Sequence, residues 1–231
     1  MKTIGLIGGM SWESTVTYYQ LLNRMARDAL GGLHSAELVM WSFDFARIEA
    51  HQASGDWDAA TAAMVEAARN VERAGAECML ICTNTMHKMA PEVQAAIDVP
   101  LIHIADATAS AIVSGGSQAP LLLATRYTME QDFYTGRLRN EHGINVRVPD
   151  DNGRTVVHDI IYEELCHGII KSESKERYLD VVAKERSVAS VDGVIFGCTE
   201  VGLLVHDNDF DCPTYDTTEI HARAAMEFAL G

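Results

Sequence analysis

The stretch Leu80-Ile81-Cys82-Thr83-Asn84-Thr85-Met86-His87 decides how this chain is read. Apolar residues run into a Cys-Thr pair, then into a polar turn and a helical pattern. That is the end of a buried strand, a loop and a helix start. The same grammar returns at Val194-Ile195-Phe196-Gly197-Cys198-Thr199-Glu200. A cysteine just past a buried strand sits at the carboxyl edge of a sheet, where open α/β folds bind their ligands. Two such cysteines, one in each half, point to a symmetric site with a thiol on either side of one small molecule.

Cys198 lies 116 residues after Cys82. The same step carries Gly5-Leu6-Ile7-Gly8 onto Leu121-Leu122-Leu123-Ala124, Met10-Ser11 onto Arg126-Tyr127 and Tyr18 onto Tyr134. Pro100 and the apolar residues after it are echoed by Pro213 at a step of 113. Two copies of one α/β unit are the simplest account.

Outward from these stretches, periodicity predicts strands at 3–7, 37–43, 78–81 and 101–104. Helices are expected over 12–30, 56–74, 85–97 and 106–113, with a loop and short helix at 44–52. Ser114-Gly115-Gly116-Ser117 reads as the boundary. Beyond it come strands at 121–124, 145–148, 194–196 and 213–215, a turn at 125–128, and helices over 133–141, 156–168, 174–187 and 218–230. The expected fold class is α/β: two pseudo-symmetric domains with parallel-type sheets and an active site in the interdomain cleft. Residues 1–115 form the first half, joined by the C-terminal helix 218–231, and residues 116–217 form the second.

The 231 residues carry a formal net charge of −15, which argues against nucleic acid and anionic membrane surfaces as partners. The opening MKTIGLIGGM is too short and wrongly built for a signal peptide, and no apolar run approaches the ~18 residues of a membrane span, so a cytoplasmic protein is expected. Five cysteines, an odd number without even spacing, make a disulfide framework improbable. No Cys-x-x-Cys or His-x-x-x-His pair offers a metal site. Gly8-Gly9-Met10-Ser11 permits a tight turn and close backbone approach to a ligand. It lacks the Gly-x-Gly-x-x-Gly spacing of a dinucleotide turn.

A base that takes a proton from one face of a carbon, with an acid that delivers one to the other face, inverts that carbon. Both partners need one chemical type and opposite placement, which two copies of a half-site supply. Cysteine suits the task, because its ordinary pKa of ~8.5 lies near neutrality and a helix N-terminus lowers it further. Thr83, Asn84, Thr85 and Thr199 offer hydroxyls, an amide and backbone N–H groups for a carboxylate. A lone cysteine at a strand end is more often a small buried hydrophobe, and Cys78, Cys166 and Cys212 are left with that reading. His87 is at least as readily structural as catalytic, and His103 reads as a strand histidine. Trp12 and Trp57 read as surface-packing residues. The run Asp207-Asn208-Asp209-Phe210-Asp211 fails the EF-hand spacing and reads as a solvated loop.

At these residues the chain resembles the aspartate/glutamate racemases that work without pyridoxal phosphate. The matching motifs are GLIGGMSWEST at 5–15, CTNTMHK at 82–88, LLATRYTMEQDFY at 122–134 and GCTEVGLL at 197–204. Together they cover essentially the whole chain. The resemblance implies Cys82 and Cys198 as proton donor and acceptor, no cofactor and no metal, an amino-acid substrate and a homodimer. By motif it places substrate contacts on Met10, Thr83, Asn84, Thr85, Thr199 and Glu200, with Gln52 as a further candidate. Some members grip the side-chain carboxylate with an Arg after the second strand and a Lys in the second half. Arg47 falls near the first position; Lys171 is near the second without aligning cleanly. Aspartate and glutamate both stay open as substrates. Two other readings compete: a related-fold isomerase such as a hydantoin racemase, and a non-catalytic two-lobed small-molecule binding protein.

Overall fold

The computed structural model describes every residue from Met1 to Gly231. The chain divides into two compact units, Met1–Ile104 with His221–Gly231, and Ala105–Ile220.

The first unit contains β1 (Ile4–Gly8), α1 (Trp12–Leu30), β2 (Leu38–Ser42), α2 (Phe45–Ser54), α3 (Trp57–Arg73), β3 (Cys78–Ile81) and α4 (Ala90–Ala95). Its strands are parallel in the order β2-β1-β3, with Ile4 paired to both Leu38 and Cys78. Both faces of β1 and β3 are buried, which is why these strands read as unbroken apolar runs rather than alternating ones. Successive side chains leave a strand on opposite faces. Ile7, Met79 and Ile81 pack on Ala60, Met64, Ala67, Ala68 and Val71 of α3. Ile4, Leu6, Cys78, Leu80 and Cys82 pack on Tyr18, Leu22 and Ala26, together with Ala222, Ala225 and Met226 near the chain end. The turn after β1 needs Gly9: its φ is +79°, and a Cβ there would stand 2.3 Å from the Phe43 carbonyl oxygen. This glycine therefore serves close packing of β1's end on the chain after β2.

The second unit is built from most of α5 (Ile104–Gly115), then β4 (Leu121–Leu123), α6 (Arg126–Glu130), α7 (Asp132–His142), α8 (Asp151–Glu163), α9 (Ser172–Val188), β5 (Val194–Phe196) and β6 (Thr214–Asp216). The last helix, α10 (Thr217–Leu230), begins here and ends in the first unit. Its three strands are parallel in the order β4-β5-β6.

Several elements differ from their expected form. The strand expected at 101–104 is a single bridge, Met79 to Leu101, and α5 already starts at Ile104. The Leu101 N–H is taken by the Gln94 side chain at 2.7 Å, so the ladder does not extend. The strand expected at 145–148 is likewise one bridge, Leu121 to Arg147, with the Val146 N–H turned onto the nearby Ile144 carbonyl. The expected turn at 125–128 is the start of α6, capped by Thr125. The expected helix over 85–97 splits into a 3-10 turn (Thr85–Met89) and α4, which takes Pro91 in its first turn, where proline is tolerated. The helix expected at 156–168 starts earlier, at Asp151, because Asp150 caps the Gly153 N–H at 2.8 Å. It ends at Glu163, and a 3-10 turn (Leu165–His167) follows.

With the bridges included, the two units share one strand order: β2-β1-β3-Leu101 in the first and Arg147-β4-β5-β6 in the second. No helix is long and apolar enough to cross a membrane.

Candidate active site

The first half-site forms at the carboxyl end of β3. The Cys82 N–H bonds the Ile7 carbonyl at 2.9 Å, so the ladder continues into the residue that carries the thiol. Strand alternation puts that thiol on the α1 side, beside Tyr18 and Leu22, with no surface exposed. Burial alone pushes it well above the ordinary thiol range. Thr83 is half-buried, and Asn84 and Thr85 are buried.

Two histidines brace this loop. The Thr83 carbonyl can only accept, so His87 donates to it from Nδ1 at 2.8 Å, and Nε2 accepts the Ile104 N–H at 3.2 Å. Those two contacts define a neutral tautomer with both ring nitrogens engaged; His87 is structural. His221 donates from Nε2 to the Ile102 carbonyl at 2.7 Å and accepts from the Tyr18 hydroxyl at Nδ1, 2.8 Å away. Burial lowers its pKa to about 4. His103 lies outside any strand, its ring tilted against His87 at a centroid distance of 4.7 Å.

The second half-site follows β5. Cys198 is half-buried, and its thiol donates to Glu200 Oε2 at 2.9 Å. The Thr199 hydroxyl donates to the same oxygen at 2.9 Å, while the Cys166 thiol approaches Oε1 at 4.0 Å. Burial first, then the Glu200 charge, push the Cys198 thiol well above its ordinary range. Helix N-termini do not lower either thiol as the sequence reading expected. The element after Cys82 is the 3-10 turn Thr85–Met89, and after Cys198 only Val201–Leu203. Neither turn is long enough to build an appreciable helix dipole against the cost of desolvation.

The remaining candidates are scattered in role. Met10 is buried in the α3-side core with Ile7, Ile48 and Met86. Gln52, on α2, is buried and donates to the Met86 sulfur at 3.1 Å, which ties α2 to the Cys82 loop. Arg47 is exposed on the same helix. Lys171 is exposed and engaged with Glu164 at 3.1 Å, a carboxylate that Ser174 also binds at 2.6 Å. Of the residues set aside from sequence, Trp12 is exposed and Trp57 half-buried under the Lys88 ammonium, 3.9 Å from its ring centroid. Cys166 stands at the second half-site without having been singled out for it. An isolated cysteine after a helix reads as packing, so no sequence signal could have found it.

The chain matches the family model for Asp/Glu/Hydantoin racemase over residues 7–225. Among solved structures, one from Yersinia pestis, provisionally named an Asp/Glu racemase, is similar at 52% identity and a TM-score of 0.92, with both chains fully covered. An aspartate racemase homologue from Pyrococcus horikoshii is similar at 36% identity and a TM-score of 0.87, again over the whole of both chains. The broad specificity amino-acid racemase RacX of Bacillus subtilis is 21% identical over 76% of this chain and 74% of its own. With the parallel α/β units and a thiol beyond β3 and β5, these matches place the chain in the Asp/Glu/Hydantoin racemase family, as an isomerase of the amino-acid racemase kind.

Proposed function

We propose that the protein interconverts the enantiomers of an acidic amino acid, aspartate or glutamate, without a cofactor, using Cys82 and Cys198 as acid and base on opposite faces of one α-carbon. The observation that carries this reading is the placement of a thiol beyond the matched strand of each α/β unit, β3 and β5, among hydroxyl and amide donors. The relative named an aspartate racemase homologue favours aspartate, and the broad specificity relative is the reason to assay both substrates.

An α-proton is a weak acid, and its removal leaves charge that spreads into the substrate carboxylate. Donors aimed at that carboxylate lower the barrier most when water is excluded. Thr83, Asn84 and Thr85 in one half, and Thr199 in the other, are assigned that work. Arg47 is assigned the side-chain carboxylate. Met10 and Gln52 are assigned the packing that holds the first loop.

Glu200 is a poor partner for an anionic substrate and a good one for a thiol. Its carboxylate takes the Cys198 proton: the S–H bond breaks and an O–H bond forms on Oε2. The thiolate then takes the α-proton from one face, and the electron pair passes into the substrate carboxylate. The Cys82 thiol delivers its proton to the other face. That turnover leaves Cys82 as thiolate and Glu200 protonated, ready for the opposite enantiomer, and exchange with solvent resets both. Cys82 has only burial acting on it, so it enters the cycle as the acid.

The test is incubation of L- and D-aspartate and L- and D-glutamate with the protein alone in deuterated water. Deuterium at the α-carbon and appearance of the other enantiomer are expected for at least one substrate. Neither signal with any of the four would overturn the proposal. Turnover of a 5-substituted hydantoin in their place would move the assignment to that branch of the family.

A further inference from the structure

The proposed reaction makes no use of Cys166, although its thiol stands at the second half-site. It is carried on the 3-10 turn Leu165–His167, half-buried, just ahead of the exposed residues Ile169 and Ile170. Glu200 touches both thiols: Cys198 Sγ is 2.9 Å from Oε2, and Cys166 Sγ is 4.0 Å from Oε1. One buried carboxylate thus presents an oxygen to each sulfur. After burial and the Glu200 charge, Cys166 is the next group that raises the Cys198 thiol. The first half has no such arrangement. The 116-residue step that pairs Cys198 with Cys82 carries Cys166 onto Ala50. Cys78 lies on the same strand as Cys82 but four residues back, about 13 Å along β3. A neighbouring thiol therefore stands beside one of the two candidate cysteines and not beside the other.

We propose that Cys166 and Cys198 form a redox pair, which hydrogen peroxide closes to a disulfide and a thiol reductant reopens. The chemistry stands apart from the racemase reading; only its effect on turnover rests on it. Glu200 supplies the base for both steps. The Cys198 proton passes to Oε2, and the thiolate attacks one oxygen of the peroxide. The O–O bond breaks, an S–O bond forms, and the departing hydroxide takes the proton from Glu200 to leave as water. Cys166 then gives its proton to Oε1, and its sulfur attacks the Cys198 sulfenic sulfur. The S–O bond breaks, the S–S bond forms, and a second hydroxide leaves with that proton as water. The two thiols have lost two electrons, and one peroxide has become two waters. Desolvation keeps Cys198 a thiol at rest, so oxidation runs only through the fraction whose proton is on Glu200 and is slow without excess peroxide. Closing the bond requires the Glu200 carboxylate to turn aside and the Cys166 turn to move towards Cys198, since bonded sulfurs stand about 2.05 Å apart. That turn ends at Gly168, in the left-handed region at φ +68°, and exposed chain follows it. With Cys82 untouched and Cys198 locked in the bond, one face of the substrate loses its thiol.

The experiment treats the reduced protein with excess hydrogen peroxide, alkylates the remaining thiols, and maps the cysteines by mass spectrometry, in wild type and in Cys166→Ser. Wild type is expected to lose two hydrogens within one chain, to yield a peptide pair joined through Cys166 and Cys198, and to return to the reduced mass with dithiothreitol. Racemisation should be lost with the link and regained with its reduction. Cys166→Ser should form no link. Its Cys198 should gain oxygen instead, to the sulfinic or sulfonic acid, and dithiothreitol should not reverse that gain. Wild-type Cys166 and Cys198 that both remain open to alkylation after Cys212 has been oxidised would overturn the inference, without recourse to any variant. So would a link from Cys198 to another cysteine, or the same reversible oxidation in Cys166→Ser. A link that forms in a protein with no racemase activity would leave this inference standing and overturn the racemase reading alone.

Discussion

Cys82 and Cys198 follow matched strands in two units of one topology, but their surroundings differ. The first thiol is enclosed by apolar side chains, and only burial acts on it. Its loop is braced by two histidines whose ring nitrogens are all engaged. The second thiol is half-buried and rests on a carboxylate at 2.9 Å. The two units thus both carry a thiol and differ in what stands behind it: a neutral histidine brace in one, a carboxylate in the other. Proton removal from the two faces of a substrate is therefore expected to be unequal at a given pH, while the overall equilibrium between enantiomers stays at one, as it must for mirror-image amino acids.

The hardest test of that comparison is loss of either thiol. Cys82→Ser and Cys198→Ser should each lower racemisation by roughly three orders of magnitude or more, the range of a lost general acid or base, while a substrate analogue still binds in calorimetry. A serine variant that racemises at near wild-type rate would return that residue to packing.

Glu200→Gln sharpens the asymmetry. It keeps the shape and removes the acceptor, so exchange of the enantiomer served by Cys198 should fall by about a hundredfold, with the enantiomer served by Cys82 much less affected. Equal loss on both faces would mean that Glu200 acts on the substrate rather than on one thiol.

The brace of the first half has its own signature in pH. The folded-state pKa of His221 is near 4, against an ordinary value of 6.5, so the unfolded chain binds its proton more readily. The stability this provides is fully present above pH 6.5 and is lost as pH falls from 6.5 towards 4, by about 3 kcal/mol at most. Urea unfolding at pH 7 and pH 4.5 measures it. His221→Gln should be less stable at pH 7 and show a smaller drop between the two; an unchanged drop would place the acid sensitivity elsewhere.

The smallest effect is expected at Arg47, which is exposed on α2. Arg47→Ala should raise KM for aspartate a few-fold with kcat nearly unchanged, the mark of uniform binding lost. No change in steady-state kinetics would remove Arg47 from the site.

How much of this was legible is best seen in particular elements. The helix over 12–30 and the strands at 78–81 and 194–196 match their expected bounds, because an amphipathic period and a doubly buried apolar run are local signals. The strands at 101–104 and 145–148 shrank to bridges, because a side chain, Gln94, and a local turn at Val146 took the N–H groups the ladder required. The 116-residue step and the two Cys-Thr pairs were visible as letters, since the chemistry of a thiol and the edge of a parallel strand are both written locally.

The sequence by itself determined the α/β class, the repeat, and which residue types could move a proton. Only the tertiary structure decided that His87 and His221 are neutral braces, that Glu200 faces a thiol, and that Cys166 belongs beside it. The physical reason is range. Hydrophobic period and turn chemistry act within a few residues of chain. Hydrogen-bond partners and desolvation depend on groups far away in sequence, such as Tyr18 on His221 or Cys166 on Glu200. No local pattern records which of those groups arrive.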